Sequence, residues 1–387
     1  MDNLTFVEAF HAGGSAAKTF LVSDQTKRFC ILKYADWEGI GFNGTPWVKT
    51  QTQRLIDLRQ LLPEQVSNWL PAVYESHDEQ SVFYTLIEYF ENTTTLSEYY
   101  LNYSGELVDA YSMDIDKILS FFGTYLYSLG KIATPDNYVQ SIHIDRVNYR
   151  LGLFSARDSE TYKRYILDKK FSLGDFHRDN ISQFFRDLIK SKNITINGKK
   201  YTNAAHKLYK ISSDTKTLNY LTPAFLPKYT HGDSLLRNYL RDENGNIKMI
   251  DLRGNHLPTN TPSEVCIPYD LGKMLHSIWM DIIRSNSFRM EVLETSEGLE
   301  FIIDSDQDAA NIANLLRVRD NMPGLFERNE ALRTFLNSEP NWLVKSLFAE
   351  ACHFLSDAVN RLEQDHTGHH SLAYYLLGTM LLNDLKF

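Results

Sequence analysis

Cysteine is scarce: Cys30, Cys266 and Cys352 are the three in 387 residues, far apart, with no CxxC pair and no His/Cys spacing suited to zinc. That excludes a disulfide framework and points to a reducing compartment. Long apolar runs are missing as well, none reaching the roughly 18 residues of a membrane-crossing helix. Basic residues are outnumbered, 40 against 49 acidic, and the formal charge of -9 is spread along the chain. Such a balance excludes a general binder of nucleic acid or anionic membrane, and the acidic excess hints at a cationic substrate. The opening stretch MDNLTFVEAFHAGG has acids where a secretory signal needs bases. The expectation is a soluble cytoplasmic protein with neither membrane nor nucleic acid as partner. Internal repeats, low-complexity tracts and heptad seams are absent too.

The length exceeds one typical core and suits two packed lobes. Residues 4–35 read as three strands, TFVEAF, KTFLV and FCILKYA, separated by a glycine turn and the polar turn SDQTKR. After a Gly-rich loop at 36–46, Val48, Leu55, Leu58 and Leu62 share one helical face until Pro63 stops the run. Two more strands are expected at about 72–75 and 81–89. The segment ENTTTLSEYY reads as a linker whose Thr or Ser caps a helix ahead of Glu98. From about Glu106 onward amphipathic helical patterns dominate, among them YDLGKMLHSIWMDIIRS and NWLVKSLFAEACHFLSDAVNRL. The break in composition near residue 90 divides the chain into 1–90 and 91–387.

One segment concentrates chemistry: THGDSLLRNYLRDENGNIKMIDLRG, residues 230–254. Asn238 stands five residues after Asp233 and Asp251 eighteen after it, with the turn ENGN between two apolar strand-like pieces. Such a hairpin brings the two carboxylates near one another. A carboxylate beside a nucleophilic hydroxyl can take its proton, while an amide oxygen and a second carboxylate are hard ligands for magnesium. The Gly-rich turn His11-Ala12-Gly13-Gly14-Ser15 lies between the first two strands, and Lys33 follows on the third. Glycines there would let backbone N–H groups approach phosphate.

These residues resemble the catalytic and metal-binding motifs of protein kinases and, more closely, of the aminoglycoside phosphotransferase and choline kinase family, which carries HGD as His231-Gly232-Asp233 does here. The resemblance implies an α+β, two-lobed protein-kinase-like fold with a small antiparallel β N-terminal lobe and a large, mainly helical C-terminal lobe. It implies ATP and Mg2+ as cofactors, Asp233 as catalytic base, Asn238 and Asp251 as metal ligands, and His231 as support for the loop. It likewise implies phosphate contacts from Gly13, Gly14, Ser15 and Lys33, and an adenine-binding hinge at Glu88, Tyr89 and Phe90. Leu235 stands where protein kinases place a lysine, which favours a small-molecule acceptor: a sugar or sugar derivative, an aminoglycoside, choline or a related amino alcohol.

The pattern also departs from the family. Kinases pair the strand lysine with a glutamate on the next helix, and this helix offers none. Gln51, Gln53 and Asp57 are the alternatives, and a glutamine would make a weaker, uncharged contact, which leaves a catalytically weak nucleotide-binding protein as a rival. The second HRD-like run, His177-Arg178-Asp179, lacks both downstream ligands, and Asp179 or Asn180 is expected to cap the next helix. IDLRG with the later YDLGK resembles, more loosely, phosphotransferase-like proteins accompanying surface-polysaccharide genes, which tilts the acceptor towards a sugar. Arg253 would then contact a phosphate or acidic acceptor, or form a salt bridge to Asp270 or Glu264. His366, His369 and His370 read as a solvated interhelical turn, not a metal site.

Overall fold

Alternating β-branched and aromatic residues in the first ninety positions produce strands that each cover one face of a sheet. In the computed structural model, which describes residues 4–10, 18–35, 45–79, 82–103, 107–154, 169–253, 264–306, 310–363, 365 and 367–387, these are β1 (Thr5–Phe10), β2 (Lys18–Ser23), β3 (Phe29–Ala35), β4 (Val73–Glu79) and β5 (Val82–Glu88). They pair antiparallel throughout in the order β1-β2-β3-β5-β4. β5 is buried from Phe83 to Ile87, Thr85 included, because it is interior and packs beneath the helix α1 (Thr45–Leu61). Val48, Leu55 and Leu58 of α1 are buried against it, and Pro63 opens the next short helix, Glu64–Ser67, after the first has ended.

The chain leaves this sheet through Glu88 and re-enters regular structure at the short strand Thr93–Thr95. Thr95 then caps the helix Leu96–Leu101 by accepting the Glu98 N–H, as ENTTTLSEYY implied. The Thr93–Thr95 strand joins Tyr239–Asp242 and Ile247–Met249 in a three-stranded sheet. The turn between the last two is closed by Asp242, whose carboxylate accepts the N–H groups of Asn244 and Asn246, and by Gly245 at φ 76°. Tyr239, Ile247 and Met249 are fully buried, so the expected hairpin is anchored in a core shared with Phe122, Leu271 and Met274.

The rest of the chain is mainly helical. Its spine is the helix Ile267–Arg284, buried along nearly its whole length against Trp342–Asp357. Gly272 permits that approach, since a Cβ there would stand 2.5 Å from the Ser346 carbonyl oxygen and 2.8 Å from the Ala349 Cβ. A second sheet escapes the helical reading: Lys199–Thr202, Asn193–Ile196, Gly298–Ser305 and Phe288–Thr295, in that order, with one parallel pairing. Among the described residues no helix is long and apolar enough to cross a membrane.

Candidate active site

Lys33 sits at mid-strand in β3, in register with Thr19 and Thr85, with 13% of its side chain exposed. Its ammonium forms an ion pair with the Asp251 carboxylate and donates to Gln51 Oε1 at 3.1 Å. Gln51 in turn donates from Nε2 to the Leu252 carbonyl at 2.6 Å. Of the three alternatives, Gln51 is therefore the partner; Gln53 donates instead to Asp57 at 2.8 Å on the exposed face. One turn along α1, Arg54 donates to the Thr230 carbonyl at 3.3 Å and faces Glu264 at 3.6 Å. α1 thus grips both ends of the 230–254 segment.

That segment closes on itself. Arg253 N–H donates to the His231 carbonyl at 2.8 Å and Ile250 N–H to the Asn238 carbonyl at 2.9 Å, which brings Asp233, Asn238 and Asp251 together. Gly232 has φ 74°, and a Cβ there would lie 2.4 Å from the Arg253 Cβ, so both backbone conformation and space demand glycine. Asp270, on the spine helix, fixes the loop from beneath. Its carboxylate accepts His231 N–H (3.1 Å), Gly232 N–H (2.6 Å), the Ser234 hydroxyl (2.9 Å) and the Tyr127 hydroxyl (3.1 Å). Ser277 on the same helix accepts the Leu236 N–H at 2.8 Å. Burial holds the His231 pKa below its usual value, and its Nδ1 accepts the Asp233 N–H at 3.2 Å, a contact that only an unprotonated Nδ1 can make.

Asp233 is one-third exposed and bonded on both oxygens: Lys273 Nζ lies 3.1 Å from Oδ1, and Asn238 Nδ2 donates to Oδ2 at 3.1 Å. Burial would raise its pKa, but the charges of Lys273 and Arg237 outweigh that and hold the carboxyl below the ordinary range. Asn238 Nδ2 also donates to the Asp233 carbonyl at 2.7 Å, which leaves its amide oxygen for a hard cation. Asp251 adopts φ 57°, a left-handed conformation uncommon outside glycine, and 43% of its side chain is exposed. An amide oxygen and an exposed carboxylate fit a magnesium ion that completes its shell with phosphate and water.

Lys33 is thus paired with Asp251 and Asp233 with Asn238, and the Ile250–Asn238 backbone bond ties the two pairs to one hairpin. Gly13, Gly14 and Ser15 lie outside the described residues. Glu88 ends β5 with its N–H on the Ala72 carbonyl (2.8 Å) and its carboxylate accepting the Ala72 N–H (2.9 Å). Tyr89 packs edge-on to Phe29, and the Phe90 carbonyl accepts from Thr93 Oγ1 at 2.9 Å, so these residues form the link between the lobes. Of the alternatives for Arg253, the salt bridge to Asp270 or Glu264 is absent among the described residues: its Nη1 donates to the Tyr269 hydroxyl at 2.7 Å, while Asp270 is occupied by the loop and Glu264 faces Arg54. Asn180 caps Ile181–Lys190 as expected. His369 and His370 begin the helix His369–Asp384 and bond to the Ser172 carbonyl and the Asn286 amide, in place of a solvated turn; His366 lies outside the described residues.

Sequence reasoning named Asp270 only as an alternative partner of Arg253 and gave no site role to Lys273, Arg146, Arg150 or Asp357. A signal existed for Lys273, since in YDLGK it shares a helix face with Asp270 at i, i+3 and with Tyr269 at i, i+4. Nothing in the sequence marks Asp357, which is buried at the end of Trp342–Asp357 and lies 3.8 Å from Lys273.

No family model matches the sequence, and no curated protein matches it. Among solved structures, a glucosamine kinase in complex with glucosamine, ADP and inorganic phosphate aligns over 98% of this chain and 94% of its own, at 11% identity and a TM-score of 0.45. A glucosamine kinase in crystal form A aligns over 98% and 92%, at 11% identity and 0.47. A choline kinase from Cryptosporidium parvum Iowa II aligns over 98% and 89%, at 10% identity and 0.43.

Proposed function

We propose that the protein is an ATP- and magnesium-dependent phosphotransferase acting on a hydroxyl of a small molecule. The observation that carries this reading is the meeting of a strand lysine with the Asp233, Asn238 and Asp251 set at the junction of a β-sheet and a helical lobe. Lys33 steadies the nucleotide phosphates, and the oxygens of Asn238 and Asp251 hold the metal, which offsets charge on the transferring group. Asp233, ionised and one-third exposed, orients the acceptor hydroxyl and takes its proton. Catalysis of this kind rests on positioning and electrostatics, which is the kind of work these groups do.

The test is Asp233→Ala. Phosphoryl transfer is expected to fall by about 100-fold or more while ATP binding, read by calorimetry, stays within a few-fold of wild type. Equal loss of transfer, nucleotide binding and thermal stability would remove Asp233 from the role. The neutral Gln51 contact favours a second reading, a nucleotide-binding protein without turnover. ATP binding with no transfer to any of a panel of sugars, amino sugars and amino alcohols is its signature.

A further inference from the structure

Behind Asp233 lies a crowd of cations that the phosphotransferase reading does not use. Arg146 and Arg253 both donate to the Tyr269 hydroxyl, each at 2.7 Å. Arg150 pairs with Asp357 at 2.7 Å, Arg146 approaches the same carboxylate at 3.8 Å, and Lys273 spans Asp357 (3.8 Å) and Asp233 (3.1 Å). Three cationic side chains, Arg146, Arg150 and Lys273, therefore face the carboxylates of Asp357 and Asp233 in these contacts, and Arg253 joins them through the Tyr269 hydroxyl. The histidines around them add no charge: burial pushes His143 down to about 3 and holds His276 and His353 well below their usual value. Arg150 is pressed down to about 9, first by burial and then by its neighbour Arg146.

A structural network would bring its charges into balance, because an uncompensated buried charge costs several kcal/mol. Here the contacts among the described residues leave a positive surplus, in a chain whose formal charge is -9. The Nε atoms of Arg146 and Arg253 are buried without a hydrogen-bond partner among the described residues. The cluster reaches solvent beside Asp233, where 32% of the Asp233 side chain and 16% of the Arg146 side chain are exposed. Nucleotide phosphates have their own cation in Lys33, on the sheet side of the cleft.

We propose that the acceptor is an anion, a hydroxyl compound bearing a phosphate or carboxylate group that Arg146 and Arg253 hold next to Asp233. Guanidinium forks match such groups bidentately, and a cationic amino sugar or choline would meet like charge. The assignment rests on the phosphotransferase reading, yet the two fail separately. Transfer from ATP with magnesium is compared for glucose, glucosamine, glucuronate and glucose 6-phosphate. At least one anionic member is expected to exceed glucose in kcat/KM by about tenfold or more, with glucosamine lowest and the advantage shrinking by a similar factor in Arg146→Gln. Glucosamine leading, or equal rates for glucose and both anions, overturns the assignment and leaves phosphoryl transfer standing.

A readout without turnover is inorganic phosphate binding at saturating ADP, by calorimetry. Wild type is expected to bind at least about tenfold more tightly than Arg146→Gln, and equal binding overturns the assignment. Arg146→Lys keeps the charge and loses the fork, so it is expected to fall between wild type and Arg146→Gln; a loss as large as that of Arg146→Gln at an unchanged thermal midpoint overturns the charge argument. Failure of ATP binding defeats the phosphotransferase reading whatever the phosphate result.

Discussion

Lys273 decides the protonation state of Asp233. Burial alone would push this carboxyl up, and the ammonium 3.1 Å away, with Arg237, brings it below the ordinary range. A depressed carboxyl contributes stability above its unfolded pKa and loses it as pH falls through the folded one, so Asp233 stays ionised throughout the neutral range, the state the proposed base requires. In Lys273→Met burial is opposed by less charge. The acidic limb of kcat/KM is expected to move up relative to wild type, and kcat at neutral pH to fall by about 10- to 100-fold, the loss of one charge-assisted hydrogen bond. The pH profile separates this from simple destabilisation: a lowered rate with an unmoved limb would mean that Lys273 does not tune Asp233.

At the scale of elements, α1 explains why glutamine is the residue beside Lys33. The Gln51 amide accepts from Lys33 with its oxygen and donates to the Leu252 carbonyl with its nitrogen. A glutamate could do the first and not the second, and its oxygen would face the carbonyl oxygen. Gln51→Glu, which introduces the glutamate that kinases pair with this lysine, is therefore expected to destabilise by about 1–3 kcal/mol and to lower transfer. Higher activity at unchanged thermal midpoint would show that the Leu252 contact is dispensable. The five strands and α1 were legible because each is a local pattern: period-two alternation between turns, then one apolar helical face ended by Pro63. Asp233, Asn238 and Asp251 were legible because one hairpin joins them. The second sheet was not, since Asn193–Ile196 pairs in parallel with Gly298–Ser305 from far along the chain, and no local period announces such a partner. Asp357 escaped for the same reason: the helices brought close at Gly272 deliver it to Lys273 from far along the chain.

Across the whole molecule the helix Ile267–Arg284 is the member on which site and stability meet. It supplies Tyr269, Asp270, Lys273 and Ser277 to the cleft, and one turn on it buries Asp281 with 5% exposure. Burial pushes the Asp281 carboxyl up to about 6, despite a hydrogen bond from Ser97 and the charges of Arg237 and Arg284. In the unfolded chain it titrates near about 3.9, so between these values the folded state holds more protons and stability falls as pH rises. Keeping the charged form in the fold at pH 7 therefore costs about 3 kcal/mol, because a tenfold change in proton affinity is worth about 1.4 kcal/mol. Asp281→Asn keeps an acceptor for Ser97 and removes the titration. Its thermal midpoint relative to wild type is expected to climb by a few degrees between pH 4 and pH 7. A difference that stays constant across that range would show that Arg237 and Arg284 already compensate the charge. The spine helix would then carry a balanced ion cluster in place of a strained carboxylate.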